Sequence, residues 1–430
     1  MAQTTPTPEA AQKPSEGPKK TRRRVLTRRG VLWLGQTCNQ RCYFCYFLDR
    51  IAAADHPEHP FMDLDKAKAI CWTLRKVYGN NAIDIQGGEP TIYEDIIELV
   101  RYCREIGLLP TLITNGLRLA RPGELEKYKE AGVRDFLVSL HGLGDIHDEV
   151  VDITGAHEDI MEAISRMRDL DIPFRFNCTM SKPVVPQLVE VAQAAVEYGA
   201  LAVNYIAFNP YEDQGSGPRT CECVPRYSDI KPILTEALDL LEEAGIEANV
   251  RYLPLCIAEE RHRKNFYNFQ QLPYDLHEWD YQSWLWTGLQ PQRMQGGGLT
   301  PPFGMGVRGR MLHTHPRLRR LHEKAPFVTR GAARLQKAGS NVSLRLKTPD
   351  VAFRNESRVR AHDDAGHVHV EACQRCNLKA ICDGFHSDYT GFFGCDEAEP
   401  ITEGPVVDDP THFIRRQEKI VMPEDEHWAL

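Results

Sequence analysis

From Gly30 onward the chain repeats one unit: a short β-branched run, a turn, an amphipathic helix, a glycine, then another short apolar run. This alternation limits the fold more than any other feature. Strands separated by helices pair in parallel, with the helices laid over the sheet. Buried-type strands are predicted at Val31–Leu34, Ala82–Gln86, Thr111–Thr114, Phe136–Leu140, Phe174–Thr179 and Val203–Ala207. Helices are predicted over Leu64–Tyr78, up to Gly107 from a capping box at Thr91 and Glu94, and near Pro122–Ala131, Glu158–Asp169, Val184–Tyr198 and Ser228–Ala244. The fold class is α/β, a partial (β/α)6 TIM-like barrel. Such barrels gather their chemistry where strands end and loops begin.

The loop after the first strand reads CNQRCYFC, with Cys38, Cys42 and Cys45 in Cys-x3-Cys-x2-Cys spacing. Thiolates spaced this way can converge on one metal centre. Three ligands leave one iron of a [4Fe–4S] cube without a protein ligand, and an open iron can bind a small molecule. Zinc is the plainer alternative, but it closes four ligands and usually takes them as two pairs. The next cysteine is Cys71, inside a helical pattern.

At 430 residues the chain can hold two or three domains, and its net charge of −8 argues against a dedicated nucleic-acid partner. The 13 cysteines, an odd number with no secretory signal recognised ahead of them, favour metal ligation in a reducing, cytoplasmic setting over a disulfide framework. TRRGVLWL, from Thr27 to Leu34, imitates a twin-arginine signal but runs directly into the cysteine loop. No window approaches the ~20 apolar residues of a membrane span.

The cysteine loop, GGEPT at Gly87–Thr91 and the six strand–helix units together resemble the radical S-adenosylmethionine (radical SAM) superfamily over roughly residues 30–250. The resemblance implies a [4Fe–4S] cluster on Cys38, Cys42 and Cys45, with S-adenosylmethionine chelated at the open iron and cleaved to a 5′-deoxyadenosyl radical. It places Phe44 near the adenine, and Gly87 and Gly88 where backbone approaches the methionine amino group. Glu89 either hydrogen-bonds in that region or braces the loop. VSLHGLGDIHD at Val138–Asp148 is similar to a family stretch that usually reads V-S-L-D-G followed by H-D. Ser139 then matches a ribose or carboxylate contact. Asn177 and Asn115 are further candidates for such contacts, with turn roles open to both. His141 stands where the family often has Asp; near its ordinary pKa it could donate, accept or bind an anion, and it is the candidate catalytic residue.

Cys373-x2-Cys376-x5-Cys382 resembles the SPASM/Twitch cluster-binding extension. With Cys256 it implies one auxiliary [4Fe–4S] cluster on Cys256, Cys373, Cys376 and Cys382, Cys395 being the alternate ligand. A structural zinc would suit Cys-x2-Cys equally well. Cys221 and Cys223 are read as free thiols.

The expected organisation is a disordered basic tail (1–28), the barrel (29–253), an Arg-, His- and aromatic-rich substrate or linking region (254–365), the cluster extension (366–400) and a polar tail (401–430). Between Val307 and Arg334 stand eight Lys or Arg and one acid, Glu323, which points to a small anionic substrate. An electron donor such as flavodoxin or ferredoxin is implied. The rival readings are a peptide- or protein-modifying radical enzyme and a non-catalytic iron–sulfur or zinc sensor.

Overall fold

The computed structural model describes residues 19–23, 29–45, 59–76, 80–209, 220–271, 324–325, 327–328 and 366–428. The short strand β1 (Lys20–Thr21) lies outside the main sheet. That sheet takes its parallel strands in sequence order: β2 (Arg29–Trp33), β3 (Ala82–Gln86), β4 (Leu109–Thr114), β5 (Asp135–Ser139), β6 (Phe174–Met180), β7 (Ala202–Ala207), β8 (Glu247–Arg251) and β9 (Phe266–Tyr267). The six predicted strands are therefore present, joined by β8 and the two-residue β9. Between them run α1 (Leu64–Lys76), α2 (Ile96–Ile106), α3 (Glu124–Ala131), α4 (Asp145–Val151), α5 (Ala156–Asp169), α6 (Leu188–Tyr198) and α7 (Tyr227–Glu243). The helix α4 was not anticipated. The capping box at Thr91 and Glu94 is not formed. Thr91 gives its hydroxyl to Glu89 instead, and α2 starts later, at Ile96.

Residues paired across parallel strands share a face, and alternate residues along each strand switch faces. One face carries Leu32, Ile85, Leu112, Phe136, Val203 and Val250, all buried under the helices. The other face, the lumen, carries the polar groups, set among the apolar Val31, Trp33 and Leu137. Its deeper level matches charges: Arg29 pairs with Asp84 at 3.1 Å and Arg175 with Asp135 at 2.9 Å. Higher up, Ser139, Asn177, Asn204 and Asn249 stand side by side in one register row. The helices thus cover the apolar face, and the paired polar groups lie on the face turned away from them.

Residues from both expected tails belong to the fold. The strand β12 (Lys419–Ile420) pairs antiparallel with β1, and its Lys419 is 1% exposed against the lumen edge of β8. The Lys419 ammonium lies 3.0 Å from Asn249 Oδ1 and 3.4 Å from Glu247 Oε2. Residues 19–23 thus depart from the expected disordered tail, because their partner is some 400 residues away in sequence and no local pattern announces it.

The extension forms a two-stranded ribbon, β10 (His367–Val368) with β11 (Phe385–His386), followed by α8 (Ser387–Phe393). It docks on the start of α7. The Tyr389 ring stacks on Tyr227 at 3.7 Å, and the Glu397 carboxylate accepts a 2.8 Å hydrogen bond from Ser228 N–H. The unsatisfied first-turn N–H groups of α7 are thereby capped from the extension.

Replacing Lys419 with alanine leaves the Glu247 carboxylate buried without its cation. Breaking such a pair costs about 3–5 kcal/mol. The urea midpoint should fall accordingly, and a midpoint equal to wild type would contradict this account of the C-terminal strand.

Candidate active site and auxiliary thiol centre

The three N-terminal cysteines sit on the loop leaving β2, at the strand-end mouth of the lumen. Cys45 N–H closes a turn onto Cys42 C=O at 2.9 Å, which brings the last two thiols together. Gln40 N–H donates to Cys38 Sγ at 3.4 Å, and Asn115 Nδ2 lies 3.9 Å from the same sulfur while donating to Asn39 Oδ1 at 2.8 Å. Asn115 therefore supports the cysteine loop from the end of β4.

Glu89 fastens this arrangement. Its buried carboxylate accepts four hydrogen bonds: Thr91 N–H at 2.9 Å, Thr91 O–H at 2.6 Å, Thr114 O–H at 2.7 Å and Asn115 N–H at 2.7 Å. Its own N–H donates to Thr37 C=O at 2.8 Å. Of the two roles open to Glu89, these contacts are those of a brace. Burial pushes its pKa up, against the pull of the four donors. Gly88, at φ +55°, touches the same loop: a Cβ there would lie 2.0 Å from Thr37 O. The close approach that this glycine permits is to the cysteine loop itself.

Burial raises the Cys38 thiol to about 12, with Glu89 adding to it, and lifts Cys42 well above its usual range, with the neighbouring thiols adding to it. Left alone these sulfurs stay protonated. A bound cationic centre reverses that preference and binds with release of protons. Beside them, both amide atoms of fully buried Gln36, the Thr37 hydroxyl and Gln40 Nε2 are buried with no hydrogen-bond partner among the described residues. Orphaned polar atoms beside three thiols on one loop fit a site built for a polar ligand and a metal cluster.

Across the mouth, Ser139 and Asn177 are register neighbours on the lumen face. Phe44 packs edge-on against His141, ring centroids 4.7 Å apart. His141 differs from the expectation of an ordinary pKa. Burial first, and then His147, holds it well below the usual imidazole range. Its Nδ1 accepts from Thr179 N–H at 3.0 Å, so the neutral ring carries its proton on Nε2. It can donate there, but it is not an imidazolium waiting for an anion. His147 Nδ1 in turn accepts from His141 N–H at 3.1 Å. Three lumen groups were missed from sequence: Asn204, Asn249 and, on the row above, Arg251. The signal that locates them is strand register, which alternation alone does not supply in such short strands.

A second cavity is walled by Cys256, Cys373, Cys376 and Cys382 with His369 and Glu399. Cys256 follows β8, so one thiol comes from the barrel and three from the extension. Cys382 Sγ accepts N–H bonds from Leu255 and Gly384, both at 3.4 Å. Burial lifts Cys256 to about 12 and also raises Cys382 and Cys373. Buried sulfurs that receive backbone N–H groups suit a bound cluster. Cys395 is exposed and stands outside this lining. Cys221 is exposed and Cys223 partly buried, while Cys71 and Cys103 are buried with sulfurs 3.6 Å apart. Among the described residues no three His, Cys, Asp or Glu side chains are arranged to hold a single metal ion, so the thiols wall their sites without closing on one point. No helix among the described residues is long and apolar enough to cross a membrane. The basic, aromatic-rich stretch expected to meet substrate lies almost wholly outside the described residues.

Two outcomes follow. Gly88→Ala should displace the Thr37 carbonyl and abolish iron binding at the first site while the far-ultraviolet spectrum stays native. Full iron uptake would refute the packing argument. His147, held at about 4 by burial, stays neutral in the fold and charges in the unfolded chain. Its contribution to stability is complete above pH ~6.5 and is lost as pH falls, by about 2 kcal/mol between pH 7 and pH 5. Denaturant midpoints over this range should fall less steeply in His147→Asn than in wild type, and equal slopes would contradict it.

Comparison with known proteins agrees with this geometry. Residues 34–194 match the family model described as the radical SAM superfamily. The chain is 29% identical over 226 residues to the AdoMet-dependent heme synthase of Methanosarcina barkeri, covering 52% of this chain and 62% of that protein. It is 30% identical over 174 residues to the PqqA peptide cyclase of Bradyrhizobium diazoefficiens, covering 40% and 43%. Streptococcus suis SuiB bound to S-adenosylmethionine superposes with a TM-score of 0.44 at 17% identity, over 58% of this chain and 53% of that one. The chain thus spans less than two thirds of the length of each. Residues 34–194 thus carry the likeness to the radical SAM superfamily, a family that uses a [4Fe–4S] cluster and S-adenosylmethionine.

Proposed function

We propose that this chain is an enzyme that cleaves S-adenosylmethionine reductively and uses the radical to oxidise or rearrange a small anionic substrate. The observation that carries the reading is the placement of Cys38, Cys42 and Cys45 at the lumen mouth, braced through Glu89 and packed on Gly88. These thiols would hold the cluster. Gly87, Gly88, Ser139 and Asn177 would hold the cofactor from the neighbouring strand ends, with Phe44 against its base. When bound, the cluster and S-adenosylmethionine supply a 5′-deoxyadenosyl radical that abstracts hydrogen. His141 would orient a polar group through Nε2–H and keep Phe44 in place; its Nδ1 is committed to Thr179.

Cys256, Cys373, Cys376 and Cys382 would hold an auxiliary [4Fe–4S] cluster, able to exchange an electron with the substrate radical or to position substrate. An anionic substrate is supported by the basic run between Val307 and Arg334, and by a relative that is a probable GTP 3′,8-cyclase of Sulfurisphaera tokodaii, 24% identical over 221 residues. Modification of a peptide is the second reading, favoured by the 30% identity to a PqqA peptide cyclase. A flavodoxin or ferredoxin in the cytoplasm would supply electrons.

Anaerobic reconstitution followed by reduction with S-adenosylmethionine present tests the proposal. The expected result is release of 5′-deoxyadenosine, lost in Cys42→Ala, with about eight iron atoms per chain, two four-iron cubes. Metal binding without nucleoside release would favour a sensor. Zinc in place of the second cube would replace the auxiliary cluster by a structural ion.

A further inference from the structure

Outside the auxiliary thiols the surface opens into a hollow of about 570 Å³, walled in part by Cys376 and Cys382. Its other lining groups include Arg375, Lys379, Gln374 and Gln270, and none of them is a carboxylate. This is unusual in a chain whose 60 acidic residues outnumber its 52 Lys and Arg. Other described cations near the extension and the barrel foot, Lys231, Arg261, Lys264 and Arg415 among them, have a carboxylate partner. Among the described residues neither Arg375 nor Lys379 has one; the Lys379 ammonium is spent on Gln374 Oε1 at 2.5 Å. Two uncompensated cations at the edge of one hollow project a positive field into it.

The rim also holds an apolar residue outward. Val406 is 75% exposed. Its loop is fixed by Asn377, whose Nδ2 donates to Thr402 C=O at 3.0 Å and Gly404 C=O at 2.8 Å, and whose C=O accepts from Val407 N–H at 2.9 Å. Folding gains nothing from a valine in water. A firmly held apolar residue in the same hollow as two cations and two cysteine sulfurs has the make-up of a small transient protein interface. In the same lining Gln270 is 2% exposed, ties its Nε2 to Asp383 Oδ1 at 3.2 Å and leaves Oε1 without a partner among the described residues.

We infer that this hollow is the docking face for an acidic one-electron carrier protein, which exchanges electrons with the auxiliary centre through the Cys376 and Cys382 wall. The inference rests on the auxiliary-cluster reading above. In the step itself a reduced carrier iron–sulfur centre loses one electron and the oxidised auxiliary cube gains it; no bond forms or breaks and no proton moves. A small molecule would not need Val406 held out in solvent, which is why a protein is the occupant.

The test uses the full reconstituted chain and an acidic plant-type ferredoxin. Stopped-flow absorbance follows reduction of the chain by the reduced ferredoxin, and by dithionite as a small-molecule control. Calorimetric titration of the oxidised proteins reads binding without turnover. In wild type the ferredoxin rate should fall as salt rises. Arg375→Glu with Lys379→Glu should lower it at least about tenfold, as reversal of steering charges does, and weaken binding in step. The dithionite rate should not change, and Arg375→Lys with Lys379→Arg should keep the wild-type ferredoxin rate. An unchanged ferredoxin rate and affinity in the reversed variant, with about eight iron atoms bound, overturns the docking face alone. About four iron atoms per chain in wild type overturns it together with the auxiliary cluster.

Discussion

One buried carboxylate holds the site together. Glu89 collects donors from its own turn and from the end of β4, and through its backbone it holds the loop that carries Cys38. The cysteine loop, the turn after β3 and the end of β4 are thus all referenced to one residue. Its four donors recover the cost of burying it, which would be several kcal/mol for an unsatisfied charge. Gly88 completes the joint, since the carbonyl of Thr37 occupies the space where any side chain would stand. The positions of the three thiols are therefore inherited from the ends of β3 and β4, and not from the flexibility of an eight-residue loop.

The lumen extends the same logic. Charges deep in the barrel are paired across strands, while the row nearer the mouth offers neutral amides and a hydroxyl from β5 to β8. Polar groups without full charge can recognise a cofactor's ribose and carboxylate ends without a large desolvation cost. His141 fits this pattern once its buried, neutral state is recognised. The extension is not appended loosely: Tyr389 and Glu397 satisfy the start of α7, and Asp383 Oδ2 takes the Phe269 N–H at 2.6 Å. Cys256 and the three later cysteines face one cavity because these contacts set the extension against β8.

Much of this was legible in the chain. The apolar runs that became strands are each buried under a helix, so their hydrophobicity was a direct record of that contact. The cysteine loop and the glycine pair were legible because their spacing answers local chemical needs. Other features were hidden for physical reasons. Asn204, Asn249 and Arg251 acquire meaning only through cross-strand register. Thr91 and Glu94 satisfy a local capping rule, yet the tertiary demand of Glu89 took the threonine. The pairing of Lys20–Thr21 with Lys419–Ile420 depends on two chain ends meeting, which no window of sequence contains.

The central claim is that Cys38, Cys42 and Cys45 hold a four-iron cube with one iron left open to S-adenosylmethionine. Electron paramagnetic resonance of the reduced, reconstituted protein, recorded with and without that cofactor, addresses it most directly. The account predicts a reduced-cluster signal whose g-values shift when S-adenosylmethionine is added, and loss of that response in Cys42→Ala. A signal that ignores the cofactor, or a metal-loaded protein with no paramagnetic cluster at all, would contradict it.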